Sequence, residues 1–212
     1  ITRGYGFGAI AGTVFLNGNA VPSVQVTWGD AQITFKVGTV LVDGASAQLM
    51  VANASGVKSP IGVTLTYGGA GAVLPVTKTT PTLPGTYATI QSAIDAASAG
   101  DLVLVEANSG DYAENVILYK AVRLQGSGAG TVINANPVPF TRLAFWHQTI
   151  NTLLGGDPFT ANEAPGIMVL GQTNQPAGAN PPTPVDVGFA TTASRIDGFQ
   201  IKGSIAGGGI GV

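Results

Sequence analysis

The chain has 212 residues, of which 45% are hydrophobic and only 9% charged, with a formal net charge of −2. Its 9 Lys and Arg cannot assemble a basic stripe, which argues against nucleic acid and against insertion at an anionic membrane. With no cysteine there is no disulfide framework, thiolate metal site or cysteine nucleophile.

No apolar run approaches the ~20 residues of a membrane span. The length suits one or two domains, each able to bury a core. With 31 Gly, 13 Pro and few charges, the composition points to turn-rich β structure.

Residues 1–67 read as short strands between turns. Thr13–Leu16 runs into Asn17-Gly18, a strong hairpin signal. Val24 and Val26 alternate with polar residues up to Trp28, and Gln32–Val37 alternates with period two. Asp43-Gly44 marks another turn. Ala47–Val51 and Ile61–Tyr67 supply two more strands around an Asn53–Ser59 loop. Several strands at about ten-residue spacing suggest a sandwich in which Trp28 is a core residue. Gly4-x-Gly6-x-Gly8 is no phosphate loop, because no strand precedes it and no Lys follows.

Four pieces of this segment occur in the order of a known pattern: Gly4-Tyr5-Gly6-Phe7-Gly8, Gly12-Thr13-Val14, Trp28-Gly29-Asp30-Ala31-Gln32-Ile33, and Val51 to Ser59. Together they resemble an IPT/TIG domain, an immunoglobulin-like β-sandwich. The family's first strand and Pro-rich opening are missing, so the resemblance implies an N-terminally truncated module cut from a larger protein.

Residues 68–86, rich in Gly, Thr and Pro, read as a linker. Over 87–99, Ile90, Ala93, Ile94 and Ala97 follow helical spacing, with Thr86 or Thr89 as N-cap and Gly100 as the stop. So short and one-sided a helix must lie on an apolar surface. Leu102–Val105, Val116–Leu118, Val122–Leu124 and Thr131–Asn134 are short strands, each closed by a turn. Gly166–Leu170, Ser194–Gly203 and Gly207–Val212 continue the series. Two stretches, 135–165 and 171–194, fit no strand repeat and read as long loops.

Thr86–Ala135 is similar to the opening of the pectin-lyase-like superfamily, and Ile196-Asp197-Gly198-Phe199-Gln200-Ile201 resembles its later coil repeat. The resemblance implies an all-β fold in which residues 87–212 begin a right-handed parallel β-helix, capped by the short helix, with insertions at 135–165 and 171–194. Stacked coils bury their core only against neighbours.

Two groups of residues are candidates for chemistry. Asp111 and Glu114 share one turn and supply oxygen ligands of the kind calcium takes, but the plainer reading is a turn cap at Asp111 and a solvated strand end at Glu114. His147, the only histidine, sits in Phe145-Trp146-His147 with Asp157 and Glu163 as the nearest acids in sequence. Phe145 and Trp146 suit either a packed loop cluster or an exposed platform for a sugar or protein partner. The resemblance transfers no catalytic residue.

Two functions follow. The first is a non-catalytic structural, adhesive or assembly module of a secreted or cell-surface bacterial protein, in contact with neighbouring protein subunits or surface polysaccharide. The second is a polysaccharide-active lyase or hydrolase whose active face lies outside these residues. No cofactor is expected beyond calcium.

Overall fold

The computed structural model describes residues 6–37, 41–59, 62–69, 71–79, 84–107, 109–128, 130–136, 140–160, 162–173, 184–185, 189, 192, 194–204 and 208–211. Gly4 and Tyr5 of the first motif, residues 80–83 of the expected linker, most of 174–191 and Gly207 lie outside the described residues. The chain divides into two compact units, Ile1–Ala70 and Gly71–Val212. Both are mostly β-strand, and no described helix is long and apolar enough to cross a membrane.

In the first unit, β1 (Thr13–Leu16) alternates so that Val14 and Leu16 turn inward. It reaches β2 (Asn19–Ala20) through Asn17 and Gly18, at φ 51° and 81°. Two positive φ angles in a row make a primed two-residue turn, which Asn-Gly adopts most readily. After a 3₁₀ turn at Ser23–Gln25, β3 (Val26–Trp28) and β4 (Ile33–Phe35) form an antiparallel hairpin. β5 (Ser46–Ala52) and β6 (Val63–Thr66) complete a four-stranded antiparallel sheet in the order β2-β1-β5-β6.

Val14, Leu16, Val21 and Ala47 form the core of this unit, and Val26, Trp28, Ile33 and Phe35 of the hairpin pack against it. Trp28 also meets Phe7 edge-on and donates from Nε1 to the Gly8 carbonyl at 2.8 Å. The Gly-rich opening is thus tied to the hairpin by this indole and by Asp30, whose carbonyl accepts from the Phe7 amide at 2.7 Å and whose Oδ1 accepts from the Gly8 amide at 2.8 Å.

The second unit is built on parallel strands. β7 (Val73–Val76) falls inside the stretch that reads as a linker, because the surrounding Gly, Thr and Pro obscure a four-residue alternation. Leu74 and Val76 point inward, and Pro75 is accommodated because β7 is the outermost strand of its sheet. α1 (Ile90–Ala96) is shorter than the expected helix. Of the two candidate caps Thr89 is the one used, its Oγ1 accepting from the Ser92 amide at 3.1 Å.

Three coils follow. The first comprises β8 (Leu102–Val105), a bend at Tyr112 and β9 (Val116–Leu118). The second comprises β10 (Arg123–Gly126), β11 (Val132–Asn134), α2 (Phe140–Leu154) as an insertion, and β12 (Ile167–Val169). An antiparallel pair, β13 (Gln172–Thr173) with β14 (Pro184–Val185), precedes the third. That coil comprises β15 (Arg195–Asp197), β16 (Gln200–Lys202) and β17 (Ile210–Gly211).

Equivalent strands of successive coils stack in parallel. β7, β8, β10 and β15 form one sheet, β11 and β16 a second, and β9, β12 and β17 a third. The register aligns Leu74, Val103, Leu124 and Ile196 in one inward row. Ile133 stacks on Ile201 and Val116 on Ile167 in the other two sheets. Each fully buried aliphatic side chain contributes about 1.5–3 kcal/mol. Coil corners demand small residues: a Cβ on Gly126 would lie 2.2 Å from the Gly198 carbonyl oxygen.

The 135–165 insertion is not simply a loop. Leu143, Trp146, Ile150 and Leu153 recur at helical spacing along α2 and are buried against Ile117 and Met168 of β9 and β12. Those two residues occupy the middle position of three-residue strands, so they point outward and give α2 an apolar floor.

Two substitutions probe the coil stack. Leu124→Ala is expected to cost about 2–5 kcal/mol in urea unfolding of the second unit. Leu104→Ala, on the outward side of the same sheet, is expected to cost less than about 1 kcal/mol.

Candidate functional site

The two carboxylates proposed as calcium ligands have separate structural partners. Glu114 follows the Tyr112 bend, and its Oε1 and Oε2 accept from the Ile90 and Gln91 amides at 2.9 and 3.0 Å. These are free N–H groups of the first turn of α1, where a carboxylate also complements the helix dipole. Lys120 does the reverse at the other end, donating from Nζ to the Asp95 and Ala97 carbonyls at 2.6 and 3.0 Å. Residues flanking β9 therefore hold α1 at both ends.

Gln91 of α1 adds a third contact. Its Oε1 accepts from the Ile117 amide at 2.8 Å, and its Nε2 donates to the Ile117 carbonyl at 3.2 Å. β9 is the outermost strand of its sheet, so this side-chain amide occupies the place of a neighbouring strand.

Asp111 lies on the surface and accepts from Lys202 Nζ at 2.7 Å and from Asn134 Nδ2 at 3.3 Å. The Lys202 ammonium holds its carboxyl below the usual range. Asp111 and Glu114 thus face different partners. Among the described residues no three His, Asp or Glu side chains converge as a metal site would require.

Burial pushes the Glu114 carboxyl above its ordinary 4.5, against the opposing effect of the two backbone hydrogen bonds. The folded state therefore holds this proton more tightly than the unfolded chain. The stability Glu114 contributes is fully present below its ordinary value and declines as pH rises through the folded value.

The Phe145-Trp146-His147 cluster lies on α2, where successive residues point about 100° apart. Trp146 is 2% exposed and packs edge-on against Phe159, whereas Phe145 is 66% exposed. The two aromatic rings do not form a common platform. His147 Nδ1 lies 2.6 Å from Asp157 Oδ2, and Asp157 Oδ1 accepts from the Phe159 amide at 3.0 Å. Of the two nearest acids in sequence, Asp157 is the partner. Glu163 instead accepts from the Thr160 amide at 2.9 Å.

A groove of about 470 Å³ runs between α2 and this return segment, lined by Phe140, Leu143, Ala144, His147, Asp157 and Phe159. Sequence reasoning missed it because the helix itself was missed. The signal was the spacing of Leu143, Trp146 and Ile150.

No family profile matches the chain, and no curated protein matches it. Among solved structures it is similar to the family 28 exopolygalacturonase of Yersinia enterocolitica, with 15% identity and a TM-score of 0.35. That similarity covers 95% of this chain and 38% of the exopolygalacturonase, so the chain spans well under half of that protein. The parallel coils are defined by their own strand register.

Glu114→Gln is expected to flatten the decline of stability with rising pH above 4.5, followed by thermal unfolding across a pH series. Glu114→Ala, which strips both amides of their acceptor, is expected to cost about 1–3 kcal/mol. Calcium is expected to leave the unfolding midpoint unshifted in wild type and in Asp111→Asn.

Proposed function

We propose that this chain is a non-catalytic structural, adhesive or assembly module of a secreted or cell-surface protein. In this reading the first unit is an IPT/TIG-like sandwich, and the second is the opening of a right-handed, pectin-lyase-like β-helix that acts as a rigid stalk. One observation carries it: the acidic side chains of the first coil hold the scaffold together. Glu114 caps α1. Asp101 accepts from the Ala72 and Ser98 amides, both at 2.7 Å. Glu106 accepts from the Thr79 hydroxyl at 3.0 Å and also from the Thr77 hydroxyl. A general acid or base must instead reach a substrate proton.

A polysaccharide-active lyase or hydrolase is the second reading, and one observation favours it. Arg123 and Arg195 stand in register on adjacent strands of one outward face, as do Gln125 and Asp197. Such a polar ladder suits an extended polar ligand. On the first reading this face contacts surface polysaccharide or a neighbouring protein without changing it.

The two readings separate in a cleavage assay. Incubation with polygalacturonate and with neutral polysaccharides is expected to release no new reducing ends and no unsaturated products. Turnover that disappears in Arg195→Ala or Asp197→Asn would overturn the non-catalytic reading in favour of the enzyme.

A further inference from the structure

We propose that the groove between α2 and its return segment binds an organic ammonium ion carried on an apolar body the size of an arylalkylamine. The inference does not rest on the functional reading above, since a stalk and an enzyme can equally carry such a site.

The first observation is a charge without a counter-charge. The 135–165 insertion holds one basic residue, Arg142, against two carboxylates, Asp157 and Glu163. Arg142 is turned elsewhere: its Nη1 donates to the Ala113 carbonyl at 2.7 Å, and its Nε and Nη2 are buried. Among the described residues the ion pairs made by Lys and Arg are Arg195 with Asp197 and Lys202 with Asp111, so none reaches Asp157.

His147 does not supply the missing charge. Its Nδ1 lies 2.6 Å from Asp157 Oδ2, so the ring proton sits on Nδ1 as the donor. Its Nε2 is buried with no hydrogen-bond partner among the described residues. A second proton there would be a buried donor without an acceptor, a costly arrangement, and the neutral ring is the form that fits. The pair therefore carries the single negative charge of Asp157.

The second observation is what surrounds that charge. Phe140, Leu143, Ala144 and Phe159 make the rest of the groove apolar, and its volume of about 470 Å³ suits a small organic molecule. A hard metal ion needs several oxygen ligands, and this groove offers one carboxylate. A carboxylate beside two aromatic rings fits an ammonium group instead, because the carboxylate and the ring faces both attract a cation. The Asp157 side chain is 26% exposed. Its two oxygens each accept one hydrogen bond, from His147 and from the Phe159 amide, and each keeps a lone pair for an N–H donor.

The third observation is that the walls are already set. Trp146 is buried and stands edge-on to both Phe159 and His147, with ring centroids 5.4 and 5.0 Å apart. The Phe159 amide holds Asp157 Oδ1 at 3.0 Å. A groove formed before its ligand arrives spends little of the binding energy on ordering.

Calorimetric titration of the full chain with phenethylammonium tests the proposal. Saturable binding in the millimolar range is expected. 2-Phenylethanol and phenylacetate keep the ring and replace the ammonium, and each is expected to bind at least roughly ten-fold more weakly. Asp157→Asn is expected to weaken phenethylammonium binding roughly ten-fold while leaving 2-phenylethanol unaffected. Asp157 also orders the return segment, so Phe140→Ala serves as the second variant. Its ring is 67% exposed, and its removal is expected to leave the unfolding midpoint unchanged. The same change is expected to weaken phenethylammonium binding roughly three-fold. A wild type that does not bind phenethylammonium, or binds it no better than 2-phenylethanol, overturns the proposal. So does binding that both Asp157→Asn and Phe140→Ala leave unchanged.

Discussion

Parallel stacking of β7, β8, β10 and β15 places Leu74, Val103, Leu124 and Ile196 in a single inward row, and the rest of the second unit is arranged around it. A parallel ladder has no freedom to slip by one residue, since that would turn every aliphatic side chain of a strand outward. Features that look unrelated follow from this register. Gly126 and Gly198 meet at a corner because the ladder brings their backbones too close for a Cβ. Asn115 lies at another corner, donating to the Ala135 and Pro165 carbonyls at 3.2 and 3.1 Å, which joins segments 50 residues apart. The end of a stack also has to be closed. Gln91 shields the outer edge of β9, while Glu114 and Lys120 fix the helix that carries it.

The small number of charges then acquires a meaning. With 11 Asp and Glu in the whole chain, few remain once coil corners and helix ends are satisfied. The first coil concentrates four of them, Asp101, Glu106, Asp111 and Glu114, yet each meets a different partner. They act as joints rather than as a constellation. The second unit presents to solvent a ladder of polar side chains on one face and, on α2, the exposed ring of Phe145.

Much of the second unit was legible because strand periodicity is short and local. Leu102–Val105, Val116–Leu118 and Ile196 to Ile201 needed only three to six residues each to declare themselves. β7 was hidden because Pro75 and the neighbouring Gly and Thr mimic a linker, and only its place at the sheet edge makes Pro tolerable. α2 was hidden for a different reason. Its apolar stripe lies in a stretch that reads as a long loop, and the surface that receives it, Ile117 and Met168, comes from strands before and after the insertion. No local reading shows that the central residues of two short strands point outward. The same blindness joined Phe145 to Trp146: adjacency along the chain suggested a shared setting, a packed cluster or a platform, and the helix sends one ring into the core and the other into solvent. Asp111 and Glu114 were likewise close in sequence and divergent in space, one reaching Lys202 and the other α1.

The coil register is open to a direct measurement because the chain has no cysteine to interfere. Gln125 and Asp197 are register partners on the outward side of β10 and β15, whereas Arg123 pairs with Arg195. If the coils stack as described, the double variant Gln125→Cys with Asp197→Cys forms an intramolecular crosslink on mild oxidation or with a short thiol-reactive linker. Arg123→Cys with Asp197→Cys, two residues out of register on the same face, then crosslinks far more slowly. Faster crosslinking of the out-of-register pair, or equal rates for both, would contradict the parallel coil stack on which the account depends.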